Sequence, residues 1–331
     1  MTGEFQKIRT GVIGVGSMGQ NHARILSQIS DLSGVSDLDE IQGKKIAKRY
    51  GTNYSPNQIE LLKNIDAVVI SVPTKFHCDV ALDAVKFDVS MLIEKPLATN
   101  IKDSKRILDS ANSSSIIATV GHIERHNPVV KYIKKSLEMG QWGDVISVSS
   151  KRVSRYPERI KDVGVVFDLA IHDIDIISYL VDSSLVSLYS TGGSIESGDR
   201  EDHASILMAF ENGITGFCDV NWLTPMKVRE LTLTCSGAYV IADYIKQEVK
   251  VFKSEYKDIN LSNLSKVEQV VDVFYPDIIK EEPLKLELLD FLSCVISHKR
   301  SEYRKPLVSI DEGLKVVSIA QEVIRTIELK T

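Results

Sequence analysis

Residues 8–19 of the chain read IRTGVIGVGSMG, and they indicate the fold class of the N-terminal part. Its first half is a β-branched run that predicts a buried strand over Ile8–Ile13, and its second half has the spacing GxGxxG. A helical pattern begins at Met18 and continues to Ile29. The glycines therefore stand between a strand and a helix, which is the context that gives this spacing its meaning.

Each glycine has a physical role in such a turn. Gly14 permits the tight turn, Gly16 lets the backbone approach a pyrophosphate, and Gly19 allows the helix to pack closely on the strand. The helix N-terminus attracts the negative charge of the phosphates. The motif thus predicts a dinucleotide site at Gly14, Gly16, Ser17, Met18 and Gly19, although the same glycines could form a purely structural turn.

An acidic residue follows at the expected place. Asp37 ends the second predicted strand, 21 residues after Gly16 (37 − 16). A carboxylate there can accept hydrogen bonds from both hydroxyls of the adenosine ribose, and its charge repels a 2′-phosphate. The sequence therefore predicts NAD rather than NADP, the alternative being a loop carboxylate without a ligand.

The rest of the N-terminal part alternates short apolar runs with helical patterns. This rhythm is typical of a doubly wound parallel sheet covered by helices on both faces. We expect residues 1–122 to form an NAD-binding Rossmann domain. Its further strands are predicted at Leu32–Ser36, Ala67–Val72, Ser90–Ile93 and Ile116–Val120, and its helices at Glu40–Tyr50, Phe76–Val85 and Ile101–Asn112.

Residues 123–331 have a different sequence pattern, with longer strand-like segments than the N-terminal part. They predict an α+β domain with a large, mostly antiparallel open sheet for substrate binding and oligomerisation, its C-terminal helix able to pack back on the first domain. Strands are expected at Val145–Val153, Val186–Thr191, Ala204–Phe210, Ile214–Trp222, Val228–Cys235 and Ala238–Asp243, and helices at Pro128–Met139, Asp168–Leu180, Pro283–Ser297 and Ile310–Ile327. The stretch 251–275 fits a loop or an edge strand equally well.

The predicted second sheet is apolar on both faces. In Ala204–Phe210 the alternate residues Ser205, Leu207 and Ala209 are hardly polar, and a wide apolar face seldom stays in water. We expect a homodimer or homotetramer built through this sheet.

Composition excludes several classes of function. The 331 residues carry 40 basic and 45 acidic side chains without a charged block, which disfavours a nucleic-acid partner. The 4 cysteines are far apart and predict free thiols in a reducing compartment. The 7 histidines form no HxH or HExxH pattern, so no metal is expected. Without a signal-like or membrane-spanning run, the expected location is the cytoplasm and no membrane partner is expected.

The third strand ends in Ser71-Val72-Pro73-Thr74, at the sheet edge where open α/β sheets bind ligands. Pro73 and Thr74 are candidates for contact with the nicotinamide ribose, and a plain strand-ending turn is nearly as good a reading. His77 is a further cofactor candidate, or only the start of its helix.

Two motifs resemble those of the Gfo/Idh/MocA oxidoreductases. Glu94-Lys95-Pro96 follows the strand Ser90–Ile93 and is similar to the EKP signature of that family. Asp168-Leu169-Ala170-Ile171-His172 is similar to a second signature, with alanine where the family often has glycine. Spacing of four places Asp168 and His172 on one helix face. Asp173 and Asp175 are expected to be solvated or to support the site.

The resemblance implies a dehydrogenase with Lys95, Asp168 and His172 as catalytic residues and Glu94 and Lys95 near the cofactor. A hydroxyl group must lose its proton as a hydride leaves the carbon, and His172 has the near-neutral pKa that suits a general base. Lys95 would stabilise the developing alkoxide, and Asp168 would hold the hydroxyl or orient the other two.

Three segments, 121–128, 159–165 and 221–227, resemble the branch that contains the UDP-N-acetylglucosamine 3-dehydrogenases, except for His126 in place of the usual phenylalanine. This implies oxidation of the 3-hydroxyl of that nucleotide sugar to a 3-keto sugar. An unactivated polyol such as myo-inositol is the alternative substrate, and a dinucleotide-sensing regulator without activity is the alternative class. Arginine and lysine can grip a diphosphate. The substrate-binding candidates are His122, Arg125, Asn127, Arg155, Tyr156, Arg159, Trp222 and Lys227, with Arg229 as a further cation.

Overall fold

A computed structural model describes residues 2–157, 163–198, 200–257 and 268–328. The chain divides into two compact units. Unit 1 comprises Met1–His126 and Glu282–Gln321, and unit 2 comprises Asn127–Glu281 and Glu322–Thr331. No helix in these described ranges is long and apolar enough to cross a membrane.

Unit 1 contains a sheet of six parallel strands in the order β3-β2-β1-β4-β5-β6. The chain reverses its direction of travel across the sheet between β1 and β4, which is the switch point where doubly wound sheets bind ligands. The prediction of a doubly wound parallel sheet is confirmed. The strands are β1 (Arg9–Ile13), β2 (Asp31–Ser36), β3 (Asn53–Ser55), β4 (Ala67–Ile70), β5 (Ser90–Glu94) and β6 (Ala118–Gly121).

Helices cover this sheet, and α9 from the late part of the chain packs on α2. Ile25 of α2 and Phe291 of α9 belong to one buried cluster. The short elements α1, β3 and α4 were not predicted, since a few residues give no measurable periodicity. The first helices are α1 (Thr2–Phe5), α2 (Ser17–Ile29), α3 (Glu40–Tyr50), α4 (Gln58–Leu62), α5 (His77–Lys86) and α6 (Ile101–Asn112). The last two are α9 (Pro283–Lys299) and α10 (Ile310–Glu328), and α10 continues into unit 2.

Unit 2 contains an eight-stranded sheet in the order β14-β13-β12-β11-β7-β10-β9-β8. Among the described strands of this unit, β7 and β10 are the one pair that runs parallel, so the predicted mostly antiparallel sheet is confirmed. The helices of this unit are α7 (Pro128–Glu138) and α8 (Ile171–Val181). The strands are β7 (Val145–Arg155), β8 (Leu185–Gly193), β9 (His203–Phe210), β10 (Thr215–Asn221), β11 (Leu223–Cys235), β12 (Tyr239–Asp243), β13 (Glu248–Lys257) and β14 (Glu268–Phe274).

The ambiguous stretch 251–275 forms strands in its described part. Val251 pairs with Phe274 and Lys257 with Glu268 across the antiparallel strands β13 and β14, with β14 at the sheet edge. Strand β11 begins earlier than predicted, at Leu223, because a register shift between Leu223 and Val228 carries the pairing with β7 past Pro225. All four cysteines are buried as free thiols.

Candidate active site

The glycine loop has the geometry that its sequence predicted. Gly14 has a φ of +86°, which a side chain would strain, and a Cβ on Gly19 would lie 1.9 Å from the carbonyl oxygen of Gly14. A Cβ on Gly16 would meet nothing within 4 Å, so the backbone there is open to an approaching pyrophosphate. Ser17 and Met18 are the first residues of α2, whose N-terminus faces this loop. These residues fit the phosphates of a dinucleotide.

Asp37 follows β2 and is hydrogen-bonded to the glycine loop. Its Oδ2 accepts a hydrogen bond from the backbone N–H of Val15 at 2.7 Å, and its Oδ1 accepts one from Asp39 at 2.8 Å. Gln42 donates from Nε2 to the carbonyl oxygen of Val15 at 3.1 Å, a contact that the sequence did not reveal. The carboxylate that we assign to the ribose therefore also fixes the loop that is assigned to the phosphates.

The loops after β4 and β5 lie side by side, because Ile70 and Ile93 are paired at the ends of adjacent parallel strands. Pro73 is exposed and Thr74 is partly exposed on the first loop. Lys95 is half-buried on the second, where its backbone N–H donates to Oε2 of Glu94 at 3.1 Å. The cofactor candidates Pro73, Thr74 and Lys95 thus lie on neighbouring loops at the carboxyl edge of the sheet.

A buried contact between a histidine and a carboxylate supports the residue before Lys95. Nε2 of His22, on α2, lies 2.7 Å from Oε1 of Glu94, and the His22 side chain is fully buried. Burial acts to raise the pKa of Glu94, but the bond to His22 and the charge of Lys95 outweigh it and hold that pKa below its usual value. The sequence analysis missed His22, since its partner is 72 residues away.

Glu287 on α9 is a second buried carboxyl group near this pair. It is 3% exposed, and neither of its oxygens has a hydrogen-bond partner among the described residues. Burial, together with the charges of Glu94 and Asp290, raises the pKa of Glu287 well above its usual value. A raised pKa favours the neutral form of Glu287, which lowers the like-charge repulsion between this group and the ionised Glu94.

His77 lies inside unit 1 and is 1% exposed. Its Nδ1 is 2.9 Å from the carbonyl oxygen of Pro96, and its Nε2 is 2.9 Å from that of Val72. Both ring nitrogens therefore face backbone carbonyl oxygens. This placement favours a supporting role for His77 over direct contact with a cofactor.

In unit 2, Asp168 and His172 lie on consecutive helical turns. Residues Val166–Ala170 form a π-helical turn that leads directly into α8, a feature that often marks functional sites. Asp168 and His172 are both partly exposed, whereas Leu169, Ala170 and Ile171 between them are buried. The two side chains are therefore both accessible, although the residues between them are buried.

Two sets of contacts hold this helix in place. At its start, Glu201 accepts from the backbone N–H of Val166 at 3.1 Å, and a Cβ on Gly164 would collide with the Glu201 carboxylate. At its centre, Nε of Arg152 lies 3.0 Å from both carboxylate oxygens of Asp173. Asp173 and Asp175 are each 1% exposed, so the expectation that they are solvated is wrong, while a supporting role remains.

The substrate-binding candidates fall into two groups. Arg155 and Lys227 are exposed, and Tyr156 is partly exposed with its ring edge-on to Trp222 at 5.4 Å. Buried candidates are His122, Arg125, Asn127 and Trp222. Arg159 lies outside the described residues.

The surroundings of three buried candidates, Arg125, Asn127 and Trp222, favour structural roles. Arg125 pairs with Glu312 and donates to the carbonyl oxygen of Leu307, so its charge already has a partner. Asn127 caps α7 and donates to the carbonyl oxygen of Tyr244 at 3.2 Å. Trp222 is 2% exposed, as expected for a core tryptophan.

Comparison with known families agrees with this architecture. Residues 8–122 match the model of the oxidoreductase family with an NAD-binding Rossmann fold, and residues 130–241 match the C-terminal domain of the same family. The fold and the glycine loop thus define an NAD-dependent oxidoreductase. The chain belongs to the Gfo/Idh/MocA family.

Individual relatives include enzymes that act on hydroxyl groups. UDP-N-acetylglucosamine 3-dehydrogenase of Acidithiobacillus ferrooxidans is 26% identical over 88% of this chain and 90% of its own length. Its solved structure has a TM-score of 0.86 and covers 97% of this chain and 98% of that one. The NAD-dependent scyllo-inositol 2-dehydrogenase of Bacillus subtilis is also 26% identical, over 88% of this chain and 87% of its own. A levoglucosan dehydrogenase solved with NADH and levoglucosan shares the fold, with a TM-score of 0.81 over 98% of each chain and 18% identity.

Proposed function

We propose that the protein oxidises the 3-hydroxyl of UDP-N-acetylglucosamine to the 3-keto sugar with NAD. The observation that carries this proposal is the similarity to a 3-dehydrogenase of that sugar nucleotide along nearly the whole length of both chains, in sequence and in structure. The family and the use of NAD hold independently of the substrate.

In the proposed reaction, three side chains have separate roles toward one substrate hydroxyl group. When bound, NAD supplies the acceptor for the hydride that leaves the ring carbon. His172 takes the hydroxyl proton as the general base, for which its partly exposed position gives access. Lys95 stabilises the negative charge that develops on the oxygen, and Asp168, one helical turn before His172, orients the hydroxyl.

For the substrate diphosphate we propose the exposed cations of unit 2. Arg155 ends β7 opposite Leu223, and Lys227 lies on the same neighbouring strand, β11. Arg229 is partly engaged already, because its Nη1 donates to the carbonyl oxygens of Val153 and Val228. Arg155 and Lys227 are thus the better candidates for phosphate contacts, with Tyr156 beside them for the sugar or base.

UMP should inhibit the enzyme competitively with the sugar substrate, and uridine should inhibit far more weakly, because uridine lacks the phosphate. Lys227→Met is expected to raise the inhibition constant of UMP by roughly fivefold to tenfold, through the loss of a charge-assisted hydrogen bond. Lys246→Met, at an exposed lysine elsewhere in unit 2, is the matched control and should leave the constant unchanged. If UMP does not compete, the nucleotide-sugar substrate is wrong.

A second candidate substrate is a free polyol. Several relatives are inositol 2-dehydrogenases, and that of Thermotoga maritima is 27% identical over 64% of this chain and 68% of its own. The same Lys95, Asp168 and His172 would serve that reaction. A regulator without activity is disfavoured, because all three residues are present.

We also propose that two chains associate through the open face of the sheet in unit 2. Tyr189, Leu207 and Phe217 are neighbours on adjacent strands and are 58%, 48% and 39% exposed. Ile206 and Met208, on either side of Leu207 along β9, are buried on the opposite face of the sheet. An apolar row of this kind is typical of a covered surface. Light scattering should give at least twice the mass of one chain, and a monomer at micromolar concentration would contradict the proposal.

A further inference from the structure

His77 lies between two loops that leave the carboxyl edge of the same sheet. It is the first residue of α5, and its ring spans the carbonyl oxygen of Val72, after β4, and that of Pro96, after β5. Both separations are 2.9 Å, and the side chain is withdrawn from solvent. We call residues 71–74 and 95–97 the two cofactor loops, since they carry Pro73, Thr74 and Lys95.

The chemistry of these contacts is restrictive. A carbonyl oxygen only accepts hydrogen bonds, so each ring nitrogen of His77 must donate in order to bond. Burial lowers the pKa of His77, although its two backbone bonds and the charge of Glu94 act in the opposite direction. A neutral ring has one N–H, and it can satisfy only one of the two carbonyl groups at a time.

We propose that His77 is a positioning residue for the two cofactor loops: its ring lies between the carbonyl oxygens of Val72 and Pro96, and its N–H group can bond either of them. The inference rests on the proposed assignment of Pro73, Thr74 and Lys95 to the site. The Val72 contact holds the loop that carries Pro73 and Thr74. The Pro96 contact holds the loop that carries Lys95. His77 touches no reacting atom and acts only through these loops.

Three substitutions separate the two contacts from simple space filling. Asparagine places an amide nitrogen near the position of Nδ1 and keeps the contact to Pro96. Glutamine reaches the position of Nε2 and keeps the contact to Val72. Leucine removes both ring nitrogens while leaving an apolar side chain in the buried position. His298→Asn, at an exposed histidine of α9, is the control.

The experiment is a titration of each variant with NAD⁺ by calorimetry, after thermal unfolding has shown that the variant is folded. His77→Leu is expected to weaken NAD⁺ binding by at least about tenfold, and the better of His77→Asn and His77→Gln to recover about half of that loss on a logarithmic scale. The control should bind like the wild type. This readout needs no sugar, so it can fail or succeed independently of the proposed substrate.

Steady-state kinetics with a substrate that the enzyme turns over give the second readout. His77→Gln loses the Pro96 contact and should lower kcat more, since the Lys95 loop is released. His77→Asn loses the Val72 contact and should raise the KM for NAD⁺ more. Equal NAD⁺ affinity in the leucine variant and the wild type, or no difference between the three variants, would overturn the proposal. If the leucine variant does not fold, the comparison of the asparagine and glutamine variants with the wild type still decides it.

Discussion

Lys95→Met should lower kcat by about a thousandfold while NAD⁺ still binds. The substitution removes the cation that we assign to the developing alkoxide, and loss of one preorganised electrostatic contact of this kind costs about 10²–10³ in kcat. The backbone contact of residue 95 to Glu94 uses the N–H group and survives the change of side chain. The cofactor phosphates and ribose are assigned to the glycine loop and Asp37, so the dissociation constant of NAD⁺ should change little by comparison.

The matched control for this substitution is Lys102→Met, at an exposed lysine on α6 of the same unit. It removes the same charge and should leave kcat and NAD⁺ binding at wild-type values. Stopped-flow and steady-state absorbance measurements give kcat, and calorimetry gives the dissociation constant. A Lys95→Met enzyme with unimpaired turnover would remove Lys95 from the mechanism.

Arg152→Met should destabilise unit 2 by about 3–5 kcal/mol, because it leaves the buried carboxylate of Asp173 without the partner that balances its charge. The side chains of the pair are only 4% and 1% exposed, and the ring of Tyr244 lies 5.3 Å from the Arg152 guanidinium. A loss of this size corresponds to a fall in Tm on the order of 10 °C. Asp173→Asn should act in the same direction.

Two further variants make the stability prediction specific. Arg152→Met combined with Asp173→Leu removes both charges and should recover much of the lost stability, since a buried pair is often replaceable by apolar groups. Lys280→Met breaks an exposed pair with Glu248 at 3.5 Å and should cost less than about 1 kcal/mol. Thermal and urea unfolding measure all of these. Equal losses in the Arg152 and Lys280 variants would contradict a structural role for the buried pair.

Much of the fold could be predicted because its signals are local. The glycine spacing is a short motif, and each strand or helix is recognised from the periodicity of a short window. The longer strand-like segments after unit 1 are recognised in the same way. None of these signals requires knowledge of tertiary contacts. The Asp168 and His172 pair is local too, since a spacing of four fixes their shared helix face. The stretch 251–275 was ambiguous because its mixed polar and apolar residues match neither periodicity, and its strands are defined by the long-range pairing of β13 with β12 and β14.

The missed contacts are long-range and involve buried charge. His22 and Glu94 are 72 residues apart, and Arg152 and Asp173 are 21 apart on different elements. No pattern in the sequence indicates such a pair, because the residue type of a charged side chain does not show whether it is buried or exposed. The same reason explains Arg125, which reads as a phosphate-binding cation but has its charge partnered by Glu312 inside unit 1.

The most direct test of the proposed activity is the absorbance at 340 nm of the purified protein with NAD⁺ and a panel of sugars. The panel contains UDP-N-acetylglucosamine, its C4 epimer UDP-N-acetylgalactosamine, UDP-glucose, myo-inositol, scyllo-inositol and glucose. We predict that NADH forms with UDP-N-acetylglucosamine and with none of the free polyols. NADH formation only with an inositol or with glucose would keep the family and contradict the nucleotide-sugar substrate.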